Sequence, residues 1–203
     1  MFHPFETFSL GPFTISIQLL FLIIGIFLSY VFFVTYLKKA DKGNYKEVEN
    51  HVFVSLIIAI GIYKLWPFIL QPSLLTSPSN LLYFMGGPYA LQVSVGVSLL
   101  YFFIQSLRKK WSYQTFDSLA FGVVISLFVL SFFVREYGQV TPFSLGFKLD
   151  GEVYHPINIY KSWSYLILII SCLLLISKEK RFARTIFLFI GILFITYLLA
   201  PFS

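Results

Sequence analysis

Long apolar runs alternate with short polar links along this chain. Six runs are rich in Val, Leu, Ile and Phe, and they cover residues 13–37, 52–70, 81–106, 117–134, 162–177 and 185–201. A helix needs about 20 apolar residues to cross a bilayer, so the last two runs are short and we expect their helices to extend into the flanks. The pattern predicts an all-α polytopic membrane protein with about six transmembrane helices in a single domain, 1–203.

The composition supports the same class of protein. Hydrophobic residues make up 58% of the chain and charged residues only 12%. A soluble domain carries about 25% charged residues, which cover its surface. The chain has too few polar residues for a water-exposed surface, and its isolated Cys172 predicts a buried thiol with no disulfide and no metal site.

Eleven of the fifteen basic residues fall into three clusters, which follow the first, third and fifth apolar runs. The clusters are Lys38, Lys39, Lys42 and Lys46; Arg108, Lys109 and Lys110; and Lys178, Lys180, Arg181 and Arg184. This placement argues against a nucleic-acid-binding face, because the clusters border apolar runs. Cytoplasmic loops carry an excess of Lys and Arg, so both ends of the chain, the loop 71–80 and the segment 135–161 are predicted to be extracytoplasmic.

The segment 135–161 is the longest polar connection, between the fourth and fifth runs. ATP and nicotinamide cofactors are not available on the outer side, so we expect no cofactor there. Ligands or partners at this face would be lipids, envelope proteins or the cell wall.

Several polar residues lie at or near membrane depth. Lys64, in the second run, is an ionisable residue where charge is costly. Its ammonium can snorkel to the headgroups, bind a lipid phosphate or form an internal ion pair. Gly86, Gly87 and Pro88 should break or delay the third helix, either as a plain kink or as a headgroup site made by freed backbone amides. Gln18, in the first run, can form an interhelical hydrogen bond or contact a headgroup.

Two candidates lie in the outer segment. Arg135 follows the fourth run, where it can bind a phosphate or anchor the helix at the interface. His155 precedes Pro156 and has two possible roles, a general acid or base, or a structural hydrogen bond.

Taken in order, these pieces resemble the bacterial prolipoprotein diacylglyceryl transferases. The resemblance covers nearly all of the chain, with a partial match at each motif. The matching pieces are FSLGPFTISIQLLFLIIGIFLSY at the start, Tyr63-Lys64-Leu65, FMGGPYALQVSVG, DSLAFG, EYGQVTPFSLGF and YHPINIY. The resemblance implies a scaffold that moves a diacylglyceryl group from phosphatidylglycerol to a lipoprotein cysteine at the outer face, and it adds Tyr137 to the headgroup candidates.

The residues that the family uses for catalysis are replaced in this chain. Leu91-Gln92-Val93 stands where the family has a His, and 126–131 contains no Arg where the family has one in its fourth span. Gln18 replaces a Tyr, and the last span lacks a further Arg. Loss of a single donor to developing negative charge costs about 100- to 1,000-fold in rate.

We therefore expect a catalytically degenerate, accessory relative of these transferases in the bacterial inner membrane. It would bind an anionic, phosphatidylglycerol-like phospholipid or a lipidated envelope partner, with Lys64, Arg135 and His155 nearest the headgroup. One alternative is an active but divergent diacylglyceryl transferase of lipoprotein biosynthesis. The other is a membrane subunit of a transport or export complex.

Overall fold

The protein is an all-α polytopic membrane protein, as the sequence predicts. A computed structural model describes residues 1–3, 6–10, 13–40, 45–76, 86–143, 146–177 and 179–203. Among these, six helices are long and apolar enough to cross a membrane. They are α1 (Ile17–Ala40), α2 (Tyr45–Leu70), α3 (Ala90–Lys109), α4 (Tyr113–Phe133), α5 (Ile157–Leu175) and α6 (Ala183–Leu199).

The helix ends differ from the apolar runs in an informative way. α5 and α6 begin at Ile157 and Ala183, before their apolar runs, which confirms the expected extension into the flanks. α1 begins only at Ile17, because 13–16 form a strand. That strand, β2 (Phe13–Ser16), pairs antiparallel with β1 (Thr7–Leu10).

The contacts within the chain form two compact units. Unit 1 contains Met1–Asp41 and Tyr113–Ser203, and unit 2 contains Lys42–Ser112. Unit 1 holds α1, α4, α5 and α6, and unit 2 holds the helical pair α2 and α3. The single-domain assignment stays a prediction.

Within unit 1, α1 and α4 approach each other at small residues. The carbonyl oxygens of Gly25 and Gly122 lie 2.7 and 2.6 Å from the Ser29 hydroxyl, and the Ser126 hydroxyl lies 2.7 Å from it. A Cβ on Gly25 would meet the Ser126 carbonyl oxygen at 3.3 Å. Small residues spaced four apart let transmembrane helices pack closely and hydrogen-bond across their interface.

The core of unit 1 lies between α4, α5 and α6. Its fully buried side chains include Phe121, Val124, Cys172 and Leu188. The burial of Cys172 confirms its interpretation as a small apolar core residue.

Buried polar contacts join the helices of unit 1 near the end of α1, the start of α4 and the start of α6. Asp117 on α4 accepts hydrogen bonds from the Thr185 amide (3.0 Å) and hydroxyl (2.6 Å) in the first turn of α6. Arg184 donates to the carbonyl of Ile176, just after α5, and to the Tyr36 hydroxyl. A carboxylate from a neighbouring helix thus caps the start of α6, and a guanidinium caps the end of α5.

The polar connection between α4 and α5 folds into a small antiparallel sheet. Its strands are β3 (Tyr137–Val140), β4 (Phe147–Leu149) and β5 (Glu152–Pro156), in the order β3-β5-β4. Tyr137 pairs with Pro156, and Phe147 pairs with Tyr154. The sequence pattern does not predict this sheet, which brings the two ends of the connection together.

In unit 2, the helices α2 and α3 form an antiparallel pair. The Ser55 hydroxyl donates to the Ser98 carbonyl, and His51 hydrogen-bonds to Tyr101 at 2.8 Å. α3 starts at Ala90, which confirms that the Gly-Gly-Pro sequence delays the helix, while the predicted start at 81 lies outside the described residues.

Candidate functional site

A cavity of about 510 Å³ opens in unit 1 where α1 begins, α4 ends and α5 begins. We name it the Arg135 pocket. It is lined by Gln18, Leu127, Leu130, Ser131, Val134, Arg135, Glu136, Tyr137, Lys161 and Tyr165. Its volume lies within the range of about 300 to 1,000 Å³ that is typical of small-molecule sites. Three of the predicted site residues, Gln18, Arg135 and Tyr137, therefore line one pocket.

Backbone hydrogen bonds fix the position of Arg135. The Phe2 amide donates to the Phe133 carbonyl at 2.8 Å, and the Arg135 amide donates to the Phe2 carbonyl at 2.9 Å. Phe2 thereby pairs with Val134 through hydrogen bonds to its two neighbours, Phe133 and Arg135. The backbone that follows α4 is therefore held in place at Arg135 by these hydrogen bonds.

The neighbouring Glu136 is held by α5. The first amide of that helix, at Ile157, donates to the Glu136 carbonyl at 3.1 Å. The Lys161 ammonium, one turn further along α5, lies 2.5 and 2.7 Å from the two carboxylate oxygens of Glu136. Glu136 therefore pairs with Lys161 across the pocket wall, although Arg135 is its neighbour in sequence.

Arg135 makes a different contact. Its guanidinium carbon lies 5.3 Å from the centroid of the Phe147 ring, within cation–π range. Its Nε atom is shielded from solvent and has no hydrogen-bond acceptor among the described residues. An aromatic face compensates part of the charge but accepts no strong hydrogen bond, and a shielded donor without an acceptor costs free energy. The geometry favours an anionic acceptor at this guanidinium.

Aromatic rings support the polar side of the pocket. Tyr137 packs edge-on against Phe147 at 5.5 Å and against Tyr154 at 6.2 Å. Desolvation by burial and the neighbouring Glu152 carboxylate raise the pKa of the Tyr154 phenol above its usual value of 10.0. This phenol is therefore neutral near pH 7 and adds no charge next to Tyr137.

The other wall of the pocket is apolar. Leu127 and Leu130 come from the last turns of α4, Val134 directly follows this helix, and Tyr165 lies one turn after Lys161 on α5. The fully buried Asn158 ties the two helices together, because its amide donates to the Ser131 carbonyl at 3.2 Å. A cavity with charged groups at one side and aliphatic side chains at the other suits an amphipathic ligand.

His155 lies outside the lining of the Arg135 pocket. Its Nδ1 is 3.3 Å from the Tyr160 hydroxyl, and its ring packs edge-on against Phe202 at 5.2 Å. Both contacts favour the structural alternative for this histidine, and a catalytic role stays a prediction.

The remaining candidates lie in unit 2. Gly86 and Gly87 have φ angles of 74° and 114°, and a Cβ on Gly86 would lie 2.6 Å from the Tyr63 hydroxyl. The Gly86 amide donates to the Tyr63 carbonyl, so glycine is required here for backbone conformation and close packing. Lys64 is half-buried on α2. Headgroup binding by these three residues stays a prediction.

A smaller cavity of about 300 Å³ adjoins the two glycines. Its lining in the described chain is Pro67, Leu70, Gln71, Leu74, Gly86, Gly87 and Pro88. No charged side chain is among these residues, so the cavity has a weaker basis for anion binding than the Arg135 pocket.

Glu136 and Lys161 are site residues that the sequence pattern does not single out. The fifth apolar run begins at residue 162, so the pattern leaves Lys161 in the polar segment before it. The spacing of Lys161 and Tyr165 by four residues is the available signal, since it puts both on one face of a helix that begins earlier.

No protein-family model matches the chain, and no curated protein matches it.

Proposed function

We propose that this membrane protein binds an anionic phospholipid headgroup in the Arg135 pocket, at the outer face of the bacterial cytoplasmic membrane. The scaffold resembles the prolipoprotein diacylglyceryl transferases, and the proposed role is an accessory one without diacylglyceryl transfer. Phosphatidylglycerol, a phospholipid with a single phosphodiester charge, is the proposed ligand.

One observation carries the proposal. Arg135 has a shielded Nε without an acceptor, and it shares a cavity with the aliphatic wall of Leu127, Leu130 and Val134. Arginine binds phosphate through a rigid fork of donors. A phosphate beside Arg135 and acyl carbons along the wall would satisfy both parts of the cavity.

Charge placement supports the outer location. In unit 1, basic residues lie at the end of α1, at Lys38 and Lys39, and at the start of α6, at Arg184. The Arg135 pocket lies at the opposite ends of these helices. Cytoplasmic ends carry the Lys and Arg excess, so the rule favours an outer position for the pocket and for both ends of the chain.

The accessory role rests on the contacts of His155. Its ring packs against Phe202 and hydrogen-bonds to Tyr160, and it does not line the pocket in which Arg135 would hold a phosphate. A general base must reach the proton it removes, directly or through one water. Among the described residues that line the proposed lipid site there is no histidine, which favours the accessory role over diacylglyceryl transfer.

The lipid proposal is tested by purifying the chain in mild detergent and quantifying bound phosphatidylglycerol by native mass spectrometry. A hydrogen bond to a charged group contributes about 1.5–3 kcal/mol, so Arg135→Ala should lower retention by about tenfold or more. Lys148→Ala removes an exposed cation from the same sheet and is the matched control. Equal retention in wild type and Arg135→Ala would contradict the lipid site and favour a docking subunit.

The accessory role has a separate test. The chain is expressed in a strain depleted of its own diacylglyceryl transferase, with membrane insertion verified by immunoblot. We expect no rescue of growth and no diacylglyceryl-modified lipoprotein. Rescue by the wild-type chain, and its loss in His155→Ala, would establish an active transferase instead.

A further inference from the structure

The Arg135 pocket contains three charged side chains, and two of them neutralise each other. Arg135 and Lys161 are cations and Glu136 is an anion, so the lining carries a net charge of about +1 near pH 7. The only ion pair among the described lining residues joins Glu136 and Lys161. Arg135 is thus the cation left to meet a ligand.

We propose that Glu136 sets the headgroup selectivity of this pocket, so that it accepts a phosphodiester and disfavours a phosphomonoester. The inference rests on the proposed lipid function and specifies which phosphate chemistry the site takes. A phosphodiester carries one negative charge, which matches the net charge of the lining. A phosphomonoester carries between one and two negative charges near pH 7, because its second pKa is about 6.

The position of Glu136 makes it an effective repulsive element. Its backbone carbonyl is held by the Ile157 amide, and its carboxylate by two contacts to Lys161, so the carboxylate cannot readily turn away from the pocket. Specificity often depends on a group that repels the wrong ligand as well as on one that attracts the right ligand. A carboxylate beside the phosphate site repels the second charge of a monoester more than it repels a diester.

Lys161 has the complementary role. Its side chain is 25% exposed and that of Glu136 is 45% exposed, so solvent only partly screens the pair. While the pair is intact, Lys161 is not a second phosphate-binding cation. Once Glu136 is neutral, the ammonium is released to the pocket, whose net charge rises to about +2 and suits a dianion.

The test compares two lipids with the same acyl chains, phosphatidylglycerol and phosphatidic acid, in phosphatidylcholine nanodiscs that contain the purified chain. Competitive binding is read by mass spectrometry of the lipids retained after delipidation. Wild type should retain phosphatidylglycerol in preference to phosphatidic acid. Glu136→Gln should shift the ratio of the two lipids toward phosphatidic acid by about tenfold, the size expected for loss of one charge interaction of moderate strength.

A double variant separates charge selectivity from a structural role of the ion pair. Glu136→Gln with Lys161→Met removes both charges and leaves the net charge of the lining at about +1. The charge inference predicts a lipid ratio close to that of wild type in the double variant. A ratio as altered as that of Glu136→Gln alone would show that the pair acts by shaping the pocket, which would overturn the inference.

The remaining outcomes distinguish the inference from the proposed function. If Glu136→Gln leaves the ratio of the two lipids unchanged while Arg135→Ala still loses phosphatidylglycerol, the selectivity inference is wrong and the proposed lipid site is supported. If wild type retains neither lipid above the level of Arg135→Ala, both the selectivity inference and the proposed lipid site are wrong. Soluble glycerophosphoglycerol is added as a competitor. If it displaces the lipid at equal concentration, the ligand of the pocket is a soluble phosphodiester, and the proposal that the ligand is a lipid is wrong.

Discussion

The hydroxyl oxygen of Ser29 on α1 lies 2.6 Å from the carbonyl oxygen of Gly122 on α4. This distance requires two helix backbones in close approach, which only small side chains permit. α1 supplies Gln18, and Arg135 follows the end of α4, so this contact joins the two helices whose ends border the Arg135 pocket. The packing of four small residues thus holds together the two helices that lead to the site.

Gly25→Leu should force α1 away from α4. A Cβ at this position already meets the Ser126 carbonyl at 3.3 Å, and a full side chain would overpack the interface at a cost of about 1–3 kcal/mol. Gly96→Leu, on α3, is the matched control, because no described atom lies within 4 Å of its added Cβ. Thermal unfolding in detergent checks this, and equal unfolding temperatures in the two variants would disprove the tight interface.

Asp117→Ala should weaken the junction of α4 and α6. The change leaves the Thr185 amide and hydroxyl without their acceptor, which costs about 1–3 kcal/mol in a buried position. Ser118→Ala is the control, since Ser118 is equally buried and bonds only to Thr115 of its own helix among the described contacts. Unfolding of both variants in the same detergent decides whether the carboxylate acts as a cap.

Gly86→Ala should destabilise the protein more than Gly87→Ala. Both substitutions place a side chain at positive φ, at a cost of about 1–2 kcal/mol each. Only at Gly86 does the added Cβ collide with Tyr63, since the nearest atom at Gly87 belongs to Trp66 at 3.9 Å. Equal losses of stability would show that backbone strain alone explains both glycines.

Phe147→Leu should reduce phosphatidylglycerol retention by about two- to fivefold. The substitution removes the ring under Arg135, and an exposed cation–π contact contributes about 0.5–1 kcal/mol. Phe147→Tyr keeps the aromatic face and should retain the lipid. Phe143→Leu changes an exposed Phe in the same connection and controls for general effects of the substitution. The measurement is the native mass spectrometry described for Arg135→Ala.

The helices were predictable because apolar runs long enough to cross a bilayer leave few alternatives. The sheet was not, because β3, β4 and β5 are only three to five residues long and their pairing depends on contacts across a turn. The clustering of Gln18, Arg135 and Tyr137 was partly predictable, since charge patterning put the segment 135–161 at the outer face, whereas Gln18 was predicted only as a polar residue at membrane depth. The Glu136–Lys161 pair was not predictable, because it depends on α5 starting at Ile157.

The contacts of Phe2 have a consequence for biogenesis. Phe2 is made early in synthesis, but the backbone groups it binds, at Phe133 and Arg135, emerge much later. Gly138 likewise packs against the carbonyl of Phe202, which is made after α6. The segment from Phe133 to Gly138 therefore acquires its full set of contacts only after both the start and the end of unit 1 have been made. A nascent chain that has not yet reached Phe202 would lack the contact of Gly138 with this residue.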